Sequence, residues 1–225
     1  ALVSMRRITE ILAAEPEIQD RALPPRDERQ ITGHIAFRDL SFSYGAEEVL
    51  HYINLEIPQG TTLGIIGRVG AGKTTLARLV PRLIQADPGQ LLIDGIPIEE
   101  WHLETLRGAI GYVSQNPFLF SNTLGANISY GATSAEHETV RQAAEQAQLL
   151  QDIDELQDGF ETIIGERGVT LSGGQKQRST LARALIRQPQ ILILDDALSA
   201  VDTHTEEAIL GHLREIMRNR TTLII

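Results

Sequence analysis

The chain has 225 residues, 42% of them hydrophobic and 22% charged, a balance that suits one sizeable α/β core. A formal net charge of -10 leaves no basic excess to release counterions from a nucleic-acid backbone, which argues against nucleic acid as a sequence-independent partner. Cysteine is absent, which rules out a disulfide framework and thiolate metal sites, and no apolar run reaches the roughly 18 to 20 residues that span a bilayer.

At the start, Leu2, Met5, Ile8, Ile11 and Leu12 recur at helical spacing opposite Arg6 and Arg7, which predicts either a surface helix or the end of one entering from an upstream domain. Pro16, Pro24 and Pro25 among the charges of 15–29 read as a linker, so the domain proper begins near Ile31. From Ile35 to Tyr44 apolar and polar residues alternate, and residues 49–57 repeat the pattern, as in strands of a half-exposed antiparallel sheet. Tyr44 precedes a Gly45 turn, where it is either an exposed structural aromatic or a flat surface for a base; the loop downstream favours the base.

That loop is Gly67-Arg68-Val69-Gly70-Ala71-Gly72-Lys73-Thr74, a match to G-x-x-x-x-G-K-[ST] between an apolar strand at 62–66 and a helix at 75–84. Glycines let backbone N–H groups converge on phosphate oxygens without Cβ clashes. Lys73 would reach the terminal phosphates, Thr74 would offer its hydroxyl to Mg2+, and the helix beginning near Thr75 would aim its positive end at the anion.

Asp94-Gly95 between two apolar stretches, 91–93 and 96–98, predicts a hairpin. A buried strand at 110–114 ends at Gln115, and Thr133 with Glu136 has capping-box spacing for a helix to about Leu150. Leu171-Ser172-Gly173-Gly174-Gln175 opens a helix that stops before Pro189, with Ser172 and Gln175 again at capping-box spacing. Such a start is equally an anion site or an ordinary capped helix. The continuous apolar run 190–194 predicts a strand buried on both faces, ending in Asp195 and Asp196. Carboxylates at that end of a parallel strand lie where ligands bind: Asp195 suits Mg2+, and Asp196 suits orienting or deprotonating a water. A last helix opens at Asp202 and Thr203, and a strand begins at Thr221.

Together these motifs resemble the nucleotide-binding domain of an ABC transporter of the exporter type, in the family's order and over nearly all of 35–225. The resemblance implies an α/β fold: a RecA-like P-loop NTPase core, an antiparallel β subdomain and an inserted helical subdomain at about 101–185. It places the core domain at 31–225, after a linker and the end of a transmembrane domain at 1–30. Carried onto this chain, it makes Tyr44 the adenine-stacking aromatic and Gln115 a glutamine that senses Mg2+ and faces the membrane domain. It makes Leu171-Ser172-Gly173-Gly174-Gln175 a signature that acts on the ATP of a second subunit, Ser199-Ala200-Val201-Asp202 the D-loop, and Glu166-Arg167-Gly168 a loop that touches the membrane part. The implied activity is ATP hydrolysis driving efflux of drug-like or lipid substrates through a head-to-tail dimer, at the cytoplasmic face of a bacterial inner membrane, with ATP and Mg2+ as cofactors. The partners are a second nucleotide-binding domain, homo- or heterodimeric, and a transmembrane domain. A soluble ATPase of DNA repair or translation would carry a coiled-coil insertion or a tandem copy, and neither stands in these 225 residues.

Two departures qualify this. Position 196 is aspartate where the family has glutamate, which resembles the degenerate half of a heterodimeric exporter, and no histidine follows His212 where the family has a switch histidine. The expectation is therefore a C-terminally truncated domain with weak turnover of its own.

Overall fold

The computed structural model describes residues 2–20, 30–132, 136–165, 170–197, 211 and 213–225. An amphipathic helix, α1 (Leu2–Leu12), presents Met5, Ile8 and Leu12 to solvent. No described helix is long and apolar enough to cross a membrane. The alternating strands β1 (Ile35–Tyr44) and β2 (Glu47–Ile57) pair antiparallel as expected. Their register shifts where Asp39 (φ 47) and Tyr52 (φ 46) leave the extended region. Side chains take up the backbone groups freed there, with Asp39 N donating to Asn54 Oδ1 and Tyr52 N to Ser41 Oγ, both at 3.0 Å.

β3 (Thr62–Gly64) then leads to the glycine loop and to α2 (Lys73–Leu79). The predicted buried strand at 62–66 is corrected here: β3 is shorter, pairs only with β10 among the described residues, and leaves Ile66 98% exposed. The helix expected at 75–84 is also displaced. It starts two residues earlier and ends at Leu79, with Val80 as the C-cap, still in helical backbone, before Pro81. The Asp94-Gly95 hairpin joins β4 (Leu91–Ile93) to β5 (Ile96–Pro97), both turn residues at positive φ as a tight primed turn requires. Asp94 also accepts from Thr32 N, Thr32 Oγ1, Gly33 N and His34 N, pinning the entrance of the domain to the hairpin.

The first turn of α3 (Leu103–Gly108) is capped from a distance, since Leu103 N donates to both carboxylate oxygens of Asp20. β6 (Ile110–Val113) belongs to the parallel sheet and is the strand expected at 110–114. A small ribbon of β7 (Asn122–Thr123) and β8 (Ile163–Ile164) brackets α4 (Leu124–Ile128), α5 (His137–Gln146) and α6 (Leu150–Glu155). The helix predicted to reach about Leu150 stops at Gln146, and Gln148 at φ 53 turns the chain into α6. The N-cap of α5 is Glu136, without a side-chain cap bond; Thr133 lies outside the described residues.

α7 (Gly173–Leu185) has the full predicted capping box, with Ser172 Oγ accepting from Gln175 N and Gln175 Oε1 accepting from Ser172 N. Near its end Arg183 donates to Phe118 O, Asn127 O and Asn127 Oδ1 and lies over the rings of Phe120 and Tyr130. β9 (Ile191–Leu194) and β10 (Thr221–Ile224) complete the sheets.

The four strands β2-β1-β4-β5 make an antiparallel sheet, and β3-β10-β9-β6 a parallel one. The central strand β9 is buried on both faces as its unbroken apolar run predicts. Ile191 and Ile193 join a core with α2 and the antiparallel sheet, while Leu192 and Leu194 join a second core with α4, α5 and α7. Both cores therefore clamp the strand whose carboxyl end carries the two aspartates.

Candidate functional site

The glycine loop crosses from β3 into α2 with Gly70 and Gly72 both at φ 82, a conformation that costs most residues backbone strain. Gly72 is constrained twice over: a Cβ there would lie 2.8 Å from Leu50 Cδ2 and 3.0 Å from Val49 Cγ1. β2 thus backs the loop, and only glycine fits the approach. Lys73 folds over it, its Nζ donating to Gly67 O at 3.0 Å and Arg68 O at 3.1 Å. Arg68, Val69, Gly70 and Ala71 are exposed along the outside, with Ala71 N bonded to Arg68 O. Thr75 faces inward and is buried.

Asp195, at the end of β9, is 1% exposed. Its N–H donates to Val113 O, which continues the parallel ladder past the strand. Its Oδ1 accepts from Thr74 Oγ1 at 3.0 Å and its Oδ2 from the Tyr112 hydroxyl at 3.2 Å. Burial, reinforced by the negative charge of Asp195, pushes the Tyr112 phenol up to about 12, so it keeps its proton at neutral pH. Arg78 lies one turn beyond Thr74 on the same face of α2, and its pKa is raised: burial lowers it, but the Tyr112 and Tyr44 hydroxyls raise it by more. Tyr44 stands at the end of β1, 47% exposed and edge-on to Phe42. Asp196 adopts φ 52, donates its N–H to Ile225 O, and accepts at Oδ2 from Gln115 Nε2 at 3.2 Å. Gln177 Nε2 of α7 donates to the Asp196 carbonyl at 3.3 Å.

Tyr44, the glycine loop, Gln115, Asp195 and Asp196 are thus connected by strand ends and by these contacts. Residues 171–175 are not: no described hydrogen bond joins them to 67–75. Leu171 and Gly174 are buried, Ser172 and Gly173 exposed, and Gln175 also donates to Asp152 Oδ1. Ser199, Ala200, Val201 and Asp202, like Glu166, Arg167 and Gly168, lie outside the described residues. Sequence reading missed Tyr112, Arg78 and Gln177. The available signals were a phenol inside an apolar strand, whose hydroxyl needs a partner when buried, and an arginine four residues from Thr74.

A buried carboxylate with no cationic partner among the described residues, one oxygen already meeting a threonine hydroxyl, fits a divalent cation. Magnesium held by nucleotide phosphates needs only one or two protein carboxylates, so Asp195 with Thr74 suffices in kind. A separate cavity of about 360 Å3 lies between Phe118, Leu119, Gly165, Leu171 and Lys176.

The family model described as "ABC transporter" matches residues 50–199. The chain belongs to the ABC transporter family.

Among ABC transporter relatives, the chain is 46% identical over 225 residues to an uncharacterised ABC transporter ATP-binding protein, YwjA, of Bacillus subtilis, covering all of this chain and 39% of that protein. It is 45% identical over 228 residues to an ATP-dependent lipid A-core flippase of Desulfotalea psychrophila, covering 100% and 39%, and 45% identical over 197 residues to that of Escherichia coli K12, covering 86% and 34%. A solved structure of a bacterial Atm1-family ABC exporter with ATP bound superposes with a TM-score of 0.90 at 38% identity, covering all of this chain and 40% of that one. The chain therefore spans about two fifths of the length of these relatives. The match bears out the expected fold class, a P-loop ABC domain built on mixed α/β sheets.

Proposed function

We propose that this chain is the ATP-binding and ATP-hydrolysing motor of an ABC exporter, powering movement of a lipid or drug-like amphiphile across a bacterial inner membrane from its cytoplasmic face. The observation that carries this reading is the 3.0 Å contact between Thr74 and Asp195, which joins the phosphate loop to the acidic strand end. Two relatives are named as ATP-dependent flippases, and the superposed exporter holds ATP.

In this reading Tyr44 stacks on the adenine, loop N–H groups with Lys73 take the phosphates, and Thr74 and Asp195 hold Mg2+, which neutralises charge building on the transferring phosphoryl. Gln115 and Asp196 orient the attacking water. Ser172, Gly173, Gly174 and Gln175 make no described hydrogen bond to their own loop, which suits a role on the ATP of a second such domain. In the same reading residues 199–202 act as the D-loop, the residues near Gln115 face the transmembrane domain, and the chain divides into 1–30 and 31–225.

A second reading, that this subunit mainly binds ATP and completes a partner's active site, is favoured by Asp196. Its carboxylate is one methylene shorter than glutamate, and reach at about the 1 Å level can cost on the order of 100-fold in rate.

Isothermal calorimetry tests the first reading. The folded chain should take up Mg2+-ATP, and Lys73→Ala should weaken that uptake by at least about tenfold, as expected for loss of a charge-assisted contact. No uptake by wild type, or undiminished uptake by the variant, overturns it.

A further inference from the structure

We infer that Tyr112 is a positioning residue for the metal: its hydroxyl fixes the rotation of the Asp195 carboxylate so that Oδ1 stays beside Thr74 and available to a divalent cation. The inference rests on the reading of Thr74 and Asp195 as the metal pair.

The carboxylate torsion of aspartate is broad and roughly two-fold, so burial alone does not determine which oxygen faces the loop. Two hydroxyls do so here. Tyr112 takes Oδ2 from β6, and Thr74 meets Oδ1 from α2. In the first bond the phenol donates and the carboxylate oxygen accepts, at 3.2 Å. Tyr112 does not touch the glycine loop in any described hydrogen bond, which separates its effect from phosphate binding.

Outer partners of metal-holding groups cost about 10- to 100-fold in metal affinity when removed. The test titrates ATP into the full chain and into Tyr112→Phe, in EDTA and in Mg2+, with Mn2+ electron paramagnetic resonance as a direct readout of the ion. Phe keeps the ring in the strand, and the EDTA arm reports whether the loop is intact. The expected result is equal ATP affinity in EDTA within about twofold, a Mg2+ enhancement smaller by roughly tenfold, and a weakened Mn2+ signal. An unchanged enhancement overturns the proposal, as does an equal loss in both arms, which would assign Tyr112 to packing. ATP uptake by wild type with no Mg2+ enhancement would overturn the metal pair alone, whereas no uptake in either condition would remove the functional reading itself.

Discussion

Gln115 and Asp196 hold each other: the glutamine Nε2 donates to the aspartate Oδ2 at 3.2 Å, across the end of the parallel sheet. Because Asp196 is also fixed at φ 52 and through its carbonyl by Gln177, the reach of its side chain is set by its length and not by backbone adjustment. Asp196→Glu is therefore expected to raise steady-state phosphate release by as much as about 100-fold, and Asp196→Asn to abolish it. Equal rates for wild type and Asp196→Glu would remove the degenerate-site reading.

Asp152 serves two residues of α7, accepting from Gln175 Nε2 at 2.9 Å and from Arg178 at 2.7 Å. Arg178 is 8% exposed, so Asp152→Ala strands a buried cation. The expected loss is about 3 kcal/mol in urea unfolding, with a smaller loss for Asp152→Leu combined with Arg178→Met, which removes both charges. Equal losses would show that the pair does not act as a unit.

Two glycines of the loop share one backbone angle and differ in their surroundings. A Cβ added at Gly70 would stand in open space, whereas one at Gly72 would press on Leu50 and Val49. Gly70→Ala is expected to cost about 1 kcal/mol, the strain of left-handed backbone alone. Gly72→Ala adds a steric clash to that strain, should cost roughly 2 to 4 kcal/mol, and should lower ATP affinity by displacing Lys73. Denaturant midpoints and calorimetry on both variants check the ordering.

Asp94 is a support far from the phosphate loop. Asp94→Ala removes the acceptor for four donors, three of them backbone N–H groups, and should cost about 2 kcal/mol with ATP affinity unchanged. A loss of nucleotide binding at preserved stability would show that the hairpin communicates with the loop.

Legibility in the sequence followed the range of the interactions. The Asp94-Gly95 turn, the Ser172 capping box and the doubly buried β9 were readable because each is written in a few adjacent residues. The exposure of Ile66 was not, because β3 stops at Gly64 and leaves Ile66 in the loop beyond it, although its apolar side chain reads as a continuation of the strand. The remote cap of α3 by Asp20 spans more than eighty positions, and the Tyr112 contact to Asp195 as many. The break at Gln148 escaped because glutamine rarely takes positive φ, and nothing in its side chain announces it.

α7 begins at the Ser172 cap, reaches the Asp196 carbonyl through Gln177, and ends with Arg183 gripping the backbone of Phe118 and Asn127. Its thirteen residues make a stiff beam about 20 Å long. The Ser172 cap and the Phe118 contact thus stand at opposite ends of one continuously hydrogen-bonded helix, whose spacing between them is fixed by its rise.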